Sequence, residues 1–220
     1  MKFALSLAGL TVACLLTSPA LADHHKGHGP KAHKWVSLFD GKSLGDWKPN
    51  ENSTAFTVKD GNFVVNGTRA HLFYMGKDND FKNFHVRAEM KVDENSNSGF
   101  YFHTKWLDEG WPQMGYESQV NVSHGDPVKS GSLYNTVKIF EDDIKGAGLS
   151  NNTWWVQEII VQDKHVTVKL NGNVVIEFDE PADKEGTVKL SSGTFAIQAH
   201  DPGSTAYFRN IEVRRLPDSK

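Results

Sequence analysis

The chain has 220 residues, 38% of them hydrophobic and 23% charged, with a formal charge of −3 and a single cysteine. No basic block lies in its folded part and no Walker or dinucleotide glycine pattern occurs, which argues against nucleic acid and nucleotides as partners. Cys14 stands alone, so no disulfide can form within the chain and stability must come from packing.

Residues 1–22 read as a signal peptide: Lys2, an apolar run over 3–16, then Ala20-Leu21-Ala22 before Asp23. The run falls short of the ~20 residues a membrane span needs. The expectation is an exported protein, periplasmic or extracellular, with no span. Residues 23–34, DHHKGHGPKAHK, form a flexible His-rich leader. Cleavage after Ala22 would make His25 the third residue. There a free amine, two backbone amides and the imidazole suit a square-planar copper or nickel ion, which makes His25 a candidate metal ligand.

Residues 35–217 form one domain of short β runs separated by turns. In order come WVSLF before Asp40-Gly41, FTVKDGNFVV with an Asp60-Gly61 hairpin, and FHVRAEMKV, with alternate residues from Phe84 to Val92 facing inward. Later, WWVQEIIVQDKHVTVKLNGNVVIEF contains two reversals, and TFAIQAHDPGSTAYFRNIEVRRL reads as a pair of strands closed by Asp201-Pro202-Gly203. Helix is confined to single turns at 81–83 or 182–184. Dense antiparallel hairpins over this length point to two sheets packed face to face.

The segment 95–119 stands apart. Period-two alternation puts Tyr101, His103 and Lys105 on one face of a strand, and Glu117, Gln119 and Asn121 on one face of the next. With Glu89 on the preceding strand, three strands offer a polar surface. A solvated outer face would explain charge there. The mixture of Tyr101, Trp106 and Trp111 with a carboxylate, an imidazole and amides instead suits a cleft for carbohydrate, where rings stack and planar groups bind hydroxyls.

The pieces WVSLFDGKSLGDWK, FTVKDGNFVV, DFKNFHVRAEMKV, NSNSGFYFHT, GYESQV, SGSLYN, VKLNGNVV and FAIQAHDPGSTAYFRNIEVRRL occur in the order found in one family and cover 35–216. On them the chain resembles the DUF1080 family of 3-keto-disaccharide hydrolases, with 3-keto-glucoside 1,2-lyase and 3-keto-2-hydroxy-glucal hydratase activities. The resemblance implies an all-β, concanavalin A-like jelly-roll sandwich of two antiparallel sheets. Three positions depart from the family pattern. His103 stands where an arginine is common, Val122-Ser123 replaces an aspartate, and Trp155 takes a frequent asparagine position.

The implied substrate is a small glycoside oxidised at C3. Its ketone acidifies the C2 proton; a base removes it, the C1 leaving group departs, and water can add back. This route needs a base, a holder for the enolate oxygen and a proton donor, unlike the two-carboxylate chemistry of ordinary glycosidases. Glu117 is the first candidate base, with His103 and His200 as further catalytic candidates. Candidate substrate contacts are Glu89, Asn97, Tyr101, Lys105, Trp106, Trp111, Gln119 and Gln198. No HExxH or cysteine cluster marks a preformed zinc site. A divalent metal held by Glu and His from separate strands stays open, as does calcium at Asp142-Asp143 beside the alternative of a plain acidic loop. The rival functions are a noncatalytic carbohydrate-binding module of the same fold and a secreted interaction protein. The sequence sets no oligomeric state.

Overall fold

The computed structural model describes residues 34–219. In chain order its elements are β1 (Val36–Ser37), β2 (Trp47–Pro49), a 3-10 turn (Ser53–Ala55), β3 (Phe56–Lys59), β4 (Asn62–Val65), β5 (Ala70–Tyr74), β6 (Phe84–Val92), β7 (Asn97–Thr104) and β8 (Tyr116–Asn121). They continue with α1 (Glu141–Gly146), β9 (Trp155–Gln162), β10 (His165–Leu170), β11 (Asn173–Asp179), β12 (Thr194–Ala199) and β13 (Ala206–Arg215). His25 and the leader lie outside the described residues. Among the described residues no helix is long and apolar enough to cross a membrane.

Two antiparallel sheets result. One has eight strands, running β11-β10-β9-β6-β13-β4-β3 with β1 also on β13; the other has five, β2-β5-β12-β7-β8. Local chemistry sets the hairpins. Asp60 and Gly61 both take positive φ (51° and 78°) between β3 and β4, as do Asn171 and Gly172 (50° and 81°) between β10 and β11. That is the geometry whose twist matches paired strands. The sheets face each other across a core holding Phe84, Val86 and Met90 from β6, Phe100 and Phe102 from β7, and Phe195 and Ile197 from β12.

Two expectations about sheet membership are corrected. FAIQAH and AYFRNIEVRR do not form a hairpin: β12 pairs with β5 and β7 in the smaller sheet, whereas β13 pairs with β6 and β4 in the larger. The Asp201-Pro202-Gly203 turn therefore carries the chain from one sheet to the other. Likewise β6 does not adjoin β7, so its polar side, with Arg87 and Glu89, belongs to the larger sheet. Local alternation reports which face a residue takes within its strand and says nothing about which sheet that strand joins. The acidic run at 141–143 opens α1, with Asp143 Oδ2 accepting the Phe140 N–H at 2.9 Å.

The five-stranded sheet is buried on both faces. Its inner face joins the core through Leu72, Phe100, Val120 and Ile197. Its outer face carries His71, Asn97, Tyr101, Gln119 and Gln198, all buried. A solvated outer face is thereby excluded: loops roof this side of the sheet and leave a cavity above it.

Candidate functional site

The cavity encloses about 490 Å³ and is lined by Asn97, Tyr101, Trp111, Pro112, Met114, Gly115, Glu117, Gln119, Asp126, Tyr134, Asn135, Val188, Gln198 and His200. Strands β7, β8 and β12 supply its floor. The wall beside β8 is the 129–137 segment, whose Tyr134 N–H donates to the Glu117 carbonyl (2.9 Å). The size suits a small ligand.

Glu117 and Tyr101 face each other directly across β7 and β8. The Tyr101 hydroxyl donates to Glu117 Oε2 at 2.8 Å. Gln198 Nε2 donates both to Glu117 Oε1 (3.1 Å) and to the Tyr101 oxygen (2.8 Å). Gly99 makes this packing possible, because a Cβ there would sit 2.1 Å from Glu117 Oε1 and 2.8 Å from its Cδ. The glycine of the NSG run is thus the bed on which the carboxylate lies. Burial pushes the Glu117 carboxyl up to about 7, against the lowering effect of its bonds to Tyr101 and Gln198, while Asp126 adds a small push upward. Burial, followed by the neighbouring Glu117 charge, holds the Tyr101 phenol well above its ordinary value. The result is a carboxylate poised to exchange a proton near neutral pH.

Three residues lining this space each carry a buried amide atom with no hydrogen-bond partner among the described residues: Asn97 Oδ1, Gln119 Nε2 and Gln198 Oε1. Folded proteins rarely leave such groups unpaired. Their convergence on one cavity marks it as built for a polar ligand.

His200, just past β12, reaches the same cavity. Its Nδ1 lies 2.8 Å from Asp201 Oδ2, which also accepts the Ser204 hydroxyl at 2.7 Å. The carboxylate directs the ring and leaves Nε2 for the cavity. His124 stands beside it, with ring centres 5.5 Å apart. One potential ligand atom from each of His124, His200 and Asp201 lies within 4.8 Å of the others, so these three form the place where a divalent ion could be held. His124 Nδ1, however, already accepts the Asp126 N–H at 3.1 Å.

The structure thus brings together Asn97, Tyr101, Trp111, Glu117, Gln119, Gln198 and His200. It does not bring the remaining four. His103 has φ 56° at a shift in the β7–β12 register, and this bulge turns its side chain out of alternation. The imidazole packs edge-on to Phe84 (5.4 Å), with Nε2 2.9 Å from the Lys82 carbonyl and Nδ1 accepting the Ser191 N–H at 3.1 Å. Burial lowers its pKa to about 4, so the ring is neutral and donates from Nε2. Glu89 lies on the larger sheet, held by Arg209 Nε (2.7 Å) and Asn210 Nδ2 (2.6 Å). Lys105 is exposed beyond β7. Trp106 packs on Phe73 under the Lys48 ammonium, away from the cavity lining.

Several residues lining the cavity or standing beside it carried no prior signal of their own. Tyr134 and Asn135 lie in the SGSLYN piece, so that match pointed to them. Asp126, His124 and Val188 sit in loops without a pattern. His71 was hidden in the apolar run AHLFY, where a histidine facing the same way as Phe73 was the available sign.

A family model for the 3-keto-alpha-glucoside-1,2-lyase-like domain matches residues 34–214. No curated protein matches the sequence. Among solved structures, a candidate glycosyl hydrolase of Parabacteroides distasonis ATCC 8503 superposes with a TM-score of 0.67 at 21% identity, covering 83% of this chain and 94% of that one. A β-glucanase of Bacillus licheniformis gives 0.55 at 9% identity over 86% and 100% of the two chains. The carbohydrate-binding module CBM66 of Bacillus subtilis gives 0.51 at 10% identity over 76% and 93%. At such identities these structures establish the sandwich fold.

Proposed function

The chain belongs to the 3-keto-alpha-glucoside-1,2-lyase-like domain family, which places it among carbohydrate-active proteins, and from that premise we propose that it is an exported enzyme cleaving 3-keto-glycosides by elimination across C1 and C2. The observation that carries this reading is Glu117, a carboxylate raised to about 7 on the floor of a cavity lined with unpartnered amides.

In the proposed reaction Glu117 takes the C2 proton. The electron pair of that C–H bond moves to form the C2–C3 double bond and charges the C3 oxygen as an enolate. Gln119 Nε2, a buried donor with no protein partner, hydrogen-bonds that oxygen. Collapse of the enolate re-forms the C3 ketone, makes the C1–C2 double bond and expels the C1 oxygen substituent. His200, in its protonated form and steadied by Asp201, gives that oxygen its proton. The neutral imidazole can then take a proton from a water adding at C1, while Glu117 returns its proton to C2. The sum is hydrolysis with no oxocarbenium ion.

The discriminating experiment incubates the protein with a 3-keto-glucoside and with the same glucoside unoxidised. Release of the leaving group from the keto substrate alone, lost in Glu117→Gln, is expected. Release from the unoxidised glucoside would indicate ordinary glycosidase chemistry, for which Asp126 is the other carboxylate of the cavity. Binding without turnover would make the protein a carbohydrate-binding module.

A further inference from the structure

His71 is completely buried on β5, yet neither ring nitrogen has a hydrogen-bond partner among the described residues. An imidazole always carries at least one donor, and when neutral it also has an acceptor. Burial drives the His71 pKa down to about 3, so the ring is neutral and leaves both capacities unused. The nearby charges of Glu51 and Arg69 act on it in opposite directions and leave burial in command. Nothing in the reaction above employs this residue.

Its position gives the unused capacity a purpose. His71 is directly opposite Gln198 in the β5–β12 register, so the two side chains share the outer face of the sheet. Gln198 spends its Nε2 on Glu117 and Tyr101, and its Oε1 is left unpaired. Cross-strand neighbours therefore present an imidazole and an amide oxygen, both unsatisfied, that do not bond each other. A single hydroxyl can serve both, accepting from the imidazole N–H and donating to Gln198 Oε1. What closes the place is aromatic. Tyr101 and Trp111, both lining the cavity, stand edge-on to the imidazole at 5.3 and 5.6 Å, whereas His71 itself does not line it. Trp111 is 42% exposed and sits on the irregular segment between β7 and β8, whereas Tyr101 is 5% exposed, so of the two rings the indole has less burial to lose on displacement.

We propose that His71 and Gln198 form a hydroxyl-binding subsite, closed by Trp111 in the free protein and opened when a sugar ring displaces the indole. This assignment rests on the carbohydrate reading of the cavity and extends the substrate to one with a hydroxyl beyond the reacting carbons, bound beside the Glu117–Tyr101–Gln198 triad. His71 is then a binding residue, with its cost in the unliganded protein recovered on substrate capture.

Three measurements on the whole protein test it. First, replacing His71 by Phe or by the less bulky Leu removes two unpaired groups, so the better-fitting variant should raise Tm by about 2–4 °C; a fall in both would mean that His71 makes structural bonds and would overturn the proposal. Second, in Trp111→Ala the His71 ring, followed by NMR, should titrate well above its value in the wild type. If the ring stays neutral down to pH 4, Trp111 is not the cover. Third, His71→Phe should raise KM for a 3-keto-glucoside about tenfold or more with kcat unchanged, and an unchanged KM would sink the subsite. Absence of turnover in the wild type would instead overturn the function proposed above, and the two ligand-free measurements would still decide the cover.

Discussion

At the residue scale, Glu117 gathers a base's requirements from its neighbours. Burial alone would hold its proton too tightly, and the Tyr101 hydroxyl and Gln198 amide pull the pKa back down to about 7. The acid limb of kcat/KM should therefore rise with an apparent pKa near 7. Tyr101→Phe removes a donor to the carboxylate, which should move that limb to higher pH; a shift to lower pH would contradict the assigned donor role. Glu117→Gln keeps the shape but cannot accept the C2 proton, so turnover should drop by about 10²–10⁴-fold with the fold intact by circular dichroism. His103 has the opposite character. It bonds the Lys82 carbonyl and the Ser191 N–H from a left-handed position in a bulge. His103→Ala should cost about 2–3 kcal/mol of stability and leave KM unchanged. A raised KM in a folded variant would return His103 to the site.

At the element scale, the decisive strand is β7. Its first part alternates as expected, sending Phe100 and Phe102 into the core and Tyr101 to the cavity. Its last turn breaks that alternation at His103. Gly99 lies in the alternating part, and its missing side chain is what lets Glu117 fold back over the strand. Gly99→Ala should displace the carboxylate and reduce kcat/KM by at least about tenfold, the scale expected when a catalytic group is misplaced. Normal activity in that variant would show that the carboxylate can reach its position by another path. The motif NSG followed by GYE was legible in sequence as a pair of neighbouring strands, and so was the placing of Tyr101 and Glu117 on one polar face; their direct register was not. The bulge was not, because a register shift arises only when a third strand, here β12, pairs alongside.

At the scale of the whole molecule, opposing buried titrations shape stability. Glu117 is raised from 4.5 to about 7, so its stabilising protonated form is fully favoured below 4.5 and that contribution is lost as pH rises through 7. His71 and His103 are lowered from 6.5 to about 3 and about 4, so the unfolded chain takes up their protons first and stability falls as pH drops below 6.5. Two histidines outweigh one glutamate over the shared range. Thermal melts should show a net loss of Tm between pH 6.5 and 4, steepened in Glu117→Gln and flattened in His71→Phe. A Tm that climbs steadily over that interval would refute the burial of both imidazoles. Because Cys14 is the only cysteine, reductant should leave the melts unchanged.

The sequence by itself determined the all-β architecture, the two glycine-containing hairpins and the family, since turn chemistry and period-two alternation are local properties. It also identified seven cavity residues: alternation put Tyr101, Glu117 and Gln119 on one polar face, Asn97 and Trp111 came from the same segment, and the family resemblance added Gln198 and His200. Only the tertiary structure decided that β6 and β13 leave the sheet of the site, that His103 turns into the packed interior, and that His71 lies under Trp111. Each of these depends on which strand pairs with which and on what covers the outer face. Those choices are fixed by long-range burial, and no window of neighbouring residues carries them.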